Sequence, residues 1–400
     1  MKSLQEELEE IRAMGLERSL RRVDSDQGLY LEVEGRKVLN FSSNNYLGLA
    51  NDERLKKASI KATAKYGTGS GASRLITGSM SLHHQLEEKI AQFKNTPAAL
   101  VFNSGYQANI GILTALLKEG DEVYSDELNH ASIVDGCRLS RASIHIYRHN
   151  DMNHLEEMLG GVGAPLAAPA RKNRRLIVTD SVFSMDGDLA PLKELAALAE
   201  KYECWLMVDE AHATGVFGPG GKGLLEATWP NNLPVYLKEH LIQMGTLGKA
   251  LGSFGAYVAG TQDLTQLLIN KARAFIYTTS LPPGVLAASL KAIEIVEFEP
   301  ERRKKIWENI RLFENVGANL VFAEGDHKDR TYNSPIVPFI VGSSEKAIFY
   351  SRKLFEKGFW VGAIRYPTVA VGTERLRITL MATHTHEQIK LLSEALHELR

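Results

Sequence analysis

Cysteine is nearly absent from this chain of 400 residues. Cys137 and Cys204 are the two, far apart and in no CxxC pair. That count leaves no disulfide framework and no cysteine-built zinc site, and a reducing, cytoplasmic setting is expected. Long apolar runs are missing too. No stretch of about 18 apolar residues occurs, so no membrane-spanning helix is predicted. An excess of either charge is also lacking: 47 Lys and Arg stand against 48 Asp and Glu. A basic nucleic-acid-binding surface and an acidic disordered tail are therefore disfavoured. The opening residues 1–10, MKSLQEELEE, are acidic and carry no apolar stretch, unlike a secretory or mitochondrial signal.

What is present is the apolar-to-charged balance of an ordinary globular protein, long enough for one large unit and a smaller one. Leu4, Leu8, Ile11 and Leu20 recur at roughly helical spacing among charges. Residues 29–33 and 37–41 flank Glu34-Gly35-Arg36 as a hairpin. From about Asn51 short apolar runs alternate with helical stretches. Strands are predicted at 98–103, 122–125, 143–147, 176–180, 204–209, 241–244 and 255–259. Strands separated by crossover helices imply an α/β fold with a mainly parallel sheet, covered on both faces. The Gly-, Ala- and Pro-rich stretch 160–175 reads as a surface loop. Residues 1–50 are expected to form an N-terminal helix and β segment. Residues 51–283 should form the large domain and 284–400, with apolar runs at 336–341 and 376–380, a smaller α+β domain.

Four stretches fall at predicted strand ends, where open α/β sheets bind ligands. Asn103-Ser104-Gly105-Tyr106-Gln107-Ala108-Asn109 turns a strand into a helix, whose free N–H groups and dipole suit a phosphate. Asp209-Glu210-Ala211-His212 delivers an acid that could hold a ring nitrogen protonated. Asp and His also ligate metals, but no further ligands are spaced to join them, and His83-His84 reads as a solvated helix face, so no metal site is expected. Met244-Gly245-Thr246-Leu247-Gly248-Lys249-Ala250-Leu251-Gly252 confines a lysine between glycines, which favours the neutral amine and imine chemistry. It lacks the spacing of a phosphate loop. Ser181-Val182-Phe183-Ser184 offers hydroxyls, although Ser, Asp and Gly there also suit a plain turn. Gly67-Thr68-Gly69-Ser70-Gly71 resembles a dinucleotide loop, yet a helical stretch precedes it rather than a strand. Jointly, a phosphate seat, an acid for a pyridine nitrogen, a lysine for an aldehyde and hydroxyls for a phenolic oxygen describe pyridoxal 5'-phosphate (PLP).

These stretches, with Asn40–Gly48, Gly67–Gly78, Asn129–Ser132 and Pro367–Thr379, resemble the α-oxoamine synthase family of fold-type I PLP enzymes. The resemblance covers nearly the whole chain. It implies a decarboxylative condensation of an amino acid with an acyl-CoA or acyl-carrier-protein thioester, by a homodimer. Residues 275–283 and 365–369 look most like the branch that joins L-alanine to a pimeloyl thioester. Glycine-using members of the same family, a PLP aminotransferase and a catalytically silent scaffold of this fold are the alternatives. The intact Lys249 speaks against the scaffold.

By motif, the resemblance implies that Lys249 takes the cofactor's aldehyde and moves the substrate α-proton. Asp209 would pair with the pyridine nitrogen, and His130 would stack on the ring and touch substrate. Ser184 and His212 would address the phenolic oxygen. Gly105, Tyr106 and Thr246 would hold the cofactor, with Thr278 and Thr279 reaching a phosphate across a dimer interface. Arg377 would hold the amino-acid carboxylate, and Arg21 and Thr368 would contact substrate. Two departures are visible: Asn45 stands where the family has Asp, and Asp180 where it often has Glu.

Overall fold

The computed structural model describes residues 2–161, 173–317 and 332–399. In chain order the strands are β1 (Tyr30–Val33), β2 (Arg36–Asn40), β3 (Ala98–Phe102), β4 (Glu122–Asp126), β5 (Ser143–Tyr147), β6 (Arg175–Asp180), β7 (Trp205–Asp209), β8 (Leu241–Thr246), β9 (Ala256–Gly260), β10 (Ile336–Ile340), β11 (Phe359–Trp360), β12 (Gly362–Ile364) and β13 (Arg375–Thr379). The predicted strands coincide with these to within two residues at each end. The expected loop 160–175 lies largely outside the described residues.

The described residues divide into two compact units. One holds Met1–Gly48, Met185–Gly187 and Lys305–Arg400; the other holds Leu49–Ser184 and Asp188–Lys304. The boundary expected near Pro283 thus falls after Lys304. Helix Pro283–Phe298 packs on helices Glu53–Tyr66 and Ser81–Lys94, which keeps it with the second unit. The N-terminal segment is not separate either: β2 pairs with both β1 and β11 in one small sheet. Leu31, Val33 and Val38 bury one face of that sheet against Phe355 and Trp360. The first helix is shorter than its apolar spacing suggested. It stops at Ala13, Gly15 takes φ 67°, and Leu20 lies fully exposed beyond it.

The second unit is built on the seven-stranded sheet β3-β9-β8-β7-β6-β4-β5. Five strands, β4 to β8, run parallel to their neighbours in that set, each return being made by a crossover long enough for a helix. β9 runs antiparallel to both β8 and β3. The link from Leu247 to Gly255 is too short for a crossover, so the chain must turn straight back. Parallel strands buried on both faces need near-continuous apolar sequence, and 206–208 (Leu-Met-Val) and 176–178 (Leu-Ile-Val) are fully buried. Helices Gly105–Leu116 and Ala131–Ser140 close one face through Ile112, Leu113 and Ile133. Both cysteines are buried and unbridged, and burial pushes the Cys137 thiol up to about 12.

His83 is not on a solvated face as expected. It is 1% exposed, its Nδ1 accepts the Met80 N–H at 3.2 Å, and burial lowers its pKa to about 4. Among the described residues, no helix is long and apolar enough to cross a membrane, and no group of three or more His, Cys, Asp or Glu is placed to hold a metal ion.

Candidate active site

The carboxyl ends of β3, β4, β6, β7 and β8 share one edge of the large sheet, and β9 starts from that edge because it runs the other way. Gly105 follows β3, His130 follows β4, Ser184 follows β6, His212 follows β7 and Lys249 follows β8. Chain direction alone therefore gathers residues more than a hundred positions apart.

Asp209 ends β7, is 3% exposed and sits in register opposite Asp180 of β6. Its Oδ1 accepts the Ala211 N–H at 2.9 Å and its Oδ2 accepts Asn109 Nδ2 at 2.9 Å. The other Asn109 N–H goes to Ser132 Oγ at 2.8 Å, and Ser132 Oγ lies 2.7 Å from His130 Nδ1. That nitrogen also takes the Ser132 N–H at 3.2 Å. Nδ1 is thus an acceptor, and in the neutral ring the hydrogen sits on Nε2. His130 keeps an exposed face, but protein atoms packed around the ring lower its pKa; Asp209 opposes this and Lys249 adds to it.

Two buried carboxyls at neighbouring strand ends cannot both ionise freely. Burial first, then the Asp209 charge, raise Asp180 well above the usual carboxylate range, while the His130 N–H at 2.7 Å and Lys249 act against them. Asp180, the shorter acid at this position, therefore sets the backbone of His130.

Lys249 Nζ lies 2.9 Å from His212 Nε2. An ammonium has only donors, so the charged lysine donates to Nε2, whereas the neutral amine can accept from it. His212 is 5% exposed. The helix beginning at Gly105 has Ser104 as its cap, the Oγ accepting the Gln107 N–H at 3.2 Å. Among the described residues the Gly105 and Tyr106 N–H groups make no hydrogen bond, as the first turn of a helix leaves them. Gly105 has no room for a side chain: a Cβ would come within 2.9 Å of Thr246 Cγ2 and 3.1 Å of Met244 Cε. Tyr106 is fixed by its hydroxyl, 2.7 Å from Asp135 Oδ2. Asn103 Nδ2 reaches Thr278 Oγ1 at 3.0 Å and Thr279 O at 2.6 Å, so both threonines are tied to the β3 end of their own chain.

The remaining expected residues lie in the first unit. Arg377, on β13, is 8% exposed and donates to Asn44 Oδ1 and Thr379 Oγ1, each at 3.2 Å. Thr368 is exposed. Arg21 is already engaged: Nε and Nη2 bind Glu34 at 3.0 and 2.6 Å, and its guanidinium lies over the Phe355 and Trp360 rings. Asn45, where the family has Asp, donates from Nδ2 to Gln27 O at 3.1 Å, a bond a carboxylate could not make. Sequence reasoning missed Asn109 and Ser132 as partners of Asp209 and His130. The available signal was Asn109 itself, a polar residue inside the apolar helical stretch 108–117.

The class I and II aminotransferase family model matches residues 36–396. The chain therefore belongs to that family of fold-type I, PLP-dependent enzymes. Among curated relatives, the 8-amino-7-oxononanoate synthase of Geobacter sulfurreducens is 50% identical over 392 residues, covering 97% of this chain and 95% of its own. A solved serine palmitoyltransferase of S. paucimobilis, with bound PLP and myriocin, is 30% identical with a TM-score of 0.89, covering 99% of this chain and 96% of that one. The 8-amino-7-oxononanoate synthase of Francisella tularensis is 31% identical with a TM-score of 0.75, covering 90% and 97%.

The residues present fit PLP. The N–H pair that opens the helix at Gly105 and Tyr106 suits its phosphate. The buried Asp209 carboxylate, steadied by Asn109 and Ala211, suits a pyridinium. The Lys249 amine, at a strand end beside His212, suits its aldehyde.

Proposed function

We propose that this protein condenses L-alanine with pimeloyl-CoA, or with a pimeloyl carrier-protein thioester, to give 8-amino-7-oxononanoate, CO2 and the free thiol. The observation that carries the reading is the Lys249–His212 pair beside the Asp209–Asn109–Ser132–His130 chain, in a protein half identical to enzymes of that name. Bound PLP supplies an aldehyde for the amino group and a ring that accepts the electron pair left at the substrate Cα.

The chain's own residues do the rest. Gly105, Tyr106 and Thr246 seat the phosphate, and Thr278 and Thr279, held by Asn103 of their own chain, reach a phosphate across the dimer interface. Asp209 keeps a proton on the pyridine nitrogen, and Asn109 fixes the direction of its carboxylate. Lys249 Nζ removes the Cα proton, and His212 Nε2 lies near enough to exchange a hydrogen bond with it. His130, held by Ser132 and Asp180, would stack on the ring and touch substrate. Ser184 and His212 would address the phenolic oxygen.

Arg377 takes the amino-acid carboxylate. Arg21 keeps Nη1 beyond its two bonds to Glu34, and takes the far carboxylate of the acyl chain. Arg21→Ala should then raise the KM for the pimeloyl thioester and leave that for alanine unchanged; an unchanged pimeloyl KM would return Arg21 to a structural role. Thr368 contacts substrate. A cytoplasmic homodimer is part of the same reading.

The test is a matrix of alanine, glycine and serine against pimeloyl, acetyl, succinyl and palmitoyl thioesters, scored by thiol release. Alanine with the pimeloyl thioester should lead. Faster release with glycine and a short acyl-CoA would move the protein to another member of the family. Amino-group transfer to an oxoacid without thiol release would make it an aminotransferase.

A further inference from the structure

Two residues beyond β5, His149 stands between two carboxylates that the mechanism above does not use. Its Nδ1 is 2.9 Å from Asp126 Oδ1, and its Nε2 is 2.6 Å from Asp188 Oδ2. Ionised carboxylates only accept, so both ring nitrogens must carry hydrogen and the ring is an imidazolium. Burial opposes that charge, but the bonds to Asp126 and Asp188 prevail and raise the pKa to about 10. Glu127 adds a third acid by accepting the His149 backbone N–H at 2.8 Å. Arg148, the neighbouring cation, is turned to Asp151.

Asp188 belongs to the loop that follows β6. That loop is closed by the Val182–Leu189 bridge, by Phe183 N–H to Asp188 O at 3.0 Å and by Ala190 N–H to Ser181 O at 3.1 Å. His149 engages both of its legs. It bonds Asp188 on the returning leg and meets Phe183 on the outgoing leg edge-on, with ring centroids 4.4 Å apart and planes at 89°. Asn150 reinforces the hold through Nδ2 to Asp188 Oδ2 and Leu189 O, at 3.1 and 3.2 Å. Ser184 follows Phe183 directly.

We propose that His149 is a positioning residue: its imidazolium ties the end of β4 to Asp188, backs Phe183, and so fixes Ser184 at the cofactor edge of the sheet. This rests on the PLP role of Ser184 given above. His149→Gln removes the cation and keeps a hydrogen-bonding side chain; His149→Arg restores a cation with two donor directions. Asp188→Asn breaks the same link from the other side.

The experiments use the full chain. In histidine-labelled wild type without cofactor, nitrogen NMR at about pH 8 should show an imidazole protonated on both nitrogens, absent from His149→Gln. Amide exchange of residues 183–188 should quicken about tenfold in His149→Gln and be partly restored in His149→Arg. With PLP bound, the pH midpoint of its visible absorption should move by about half a unit or more. Turnover should fall about tenfold with the thioester KM unchanged. A neutral His149 at that pH overturns the proposal. So does a His149→Gln protein that melts lower while exchange at 183–188 and the absorption midpoint stay at wild-type values. If His149→Gln does not fold, Asp188→Asn is read in the same way. Wild type that is inactive with alanine and pimeloyl thioester counts against the proposed reaction, and the NMR and exchange results still decide the role of His149.

Discussion

Directly behind Asp209, the next residue, Glu210, forms a buried ion pair with Lys94; their side chains are 0% and 1% exposed. Lys94 Nζ also bonds Lys222 O, and Glu210 Oε1 accepts the Leu225 N–H at 2.9 Å. Burial alone would push the lysine toward neutrality, but Glu210 and Tyr257 hold it charged, with a net raised pKa. Lys94→Met keeps most of the volume and removes the charge. The Glu210 carboxylate is then left buried with one backbone donor. Breaking a buried pair from one side costs about 3–5 kcal/mol. At about 2–4 °C per kcal/mol for a unit of this size, Tm should drop by roughly 6–20 °C. Calorimetry of the cofactor-free chain measures it without the complication of ligand binding. The double variant Lys94→Met/Glu210→Gln should recover most of the loss, because no uncompensated charge remains. A single-variant loss below about 1 kcal/mol, the range of exposed pairs, would refute the reasoning. So would a double variant no better than the single.

Lys249→Ala should abolish turnover, and borohydride treatment should fix no cofactor on the protein; fixed cofactor at an active-site lysine would show that another residue does the work. Asp209→Asn should retain some PLP yet lose alanine Cα–H exchange in deuterated solvent by about 100-fold or more, since an amide cannot keep the pyridine nitrogen protonated. Exchange near the wild-type rate would contradict it. His149 has a folded pKa of about 10 against about 6.5 in the unfolded chain, a raised value. Its stabilisation is therefore complete below about pH 6.5 and is lost as pH rises through about 10. Tm of wild type should decline across that window more steeply than that of His149→Gln, and parallel profiles would count against the charged ring.

The sheet was legible because its physics is local. Buried parallel strands must be short apolar runs, and Leu176–Val178 and Leu206–Val208 have no other good place to go. The strand-end residues Gly105, Asp209 and Lys249 were legible for the related reason that glycines and lone polar residues interrupt those runs. Long-range partners were not. Nothing near Asn109 in sequence indicates a carboxylate a hundred positions later, and nothing near Arg21 announces Glu34 and Trp360 as its seat. His83 was misread because its neighbour His84 is polar and the helix is amphipathic; the ring is buried and caps its own helix at Met80. The unit boundary was displaced because Pro283 begins a helix, as proline at a first turn does, without ending a unit.

The antiparallel return of β9 has a consequence for how the protein is made. β3 is an edge strand whose one sheet neighbour among the described residues is β9, with Ala98 opposite Gly260. On a ribosome, β3 emerges long before the strand it needs. At about 5–20 residues per second the wait is on the order of ten to thirty seconds. Until then the helix that starts at Gly105 hangs from an unpaired strand, and the Lys249 turn does not exist. The turns at Gly105 and Lys249 are thus brought to one sheet edge by a late event, the insertion of β9 between β3 and β8. A nascent chain that stops short of it carries most of the site's side chains and has no assembled site.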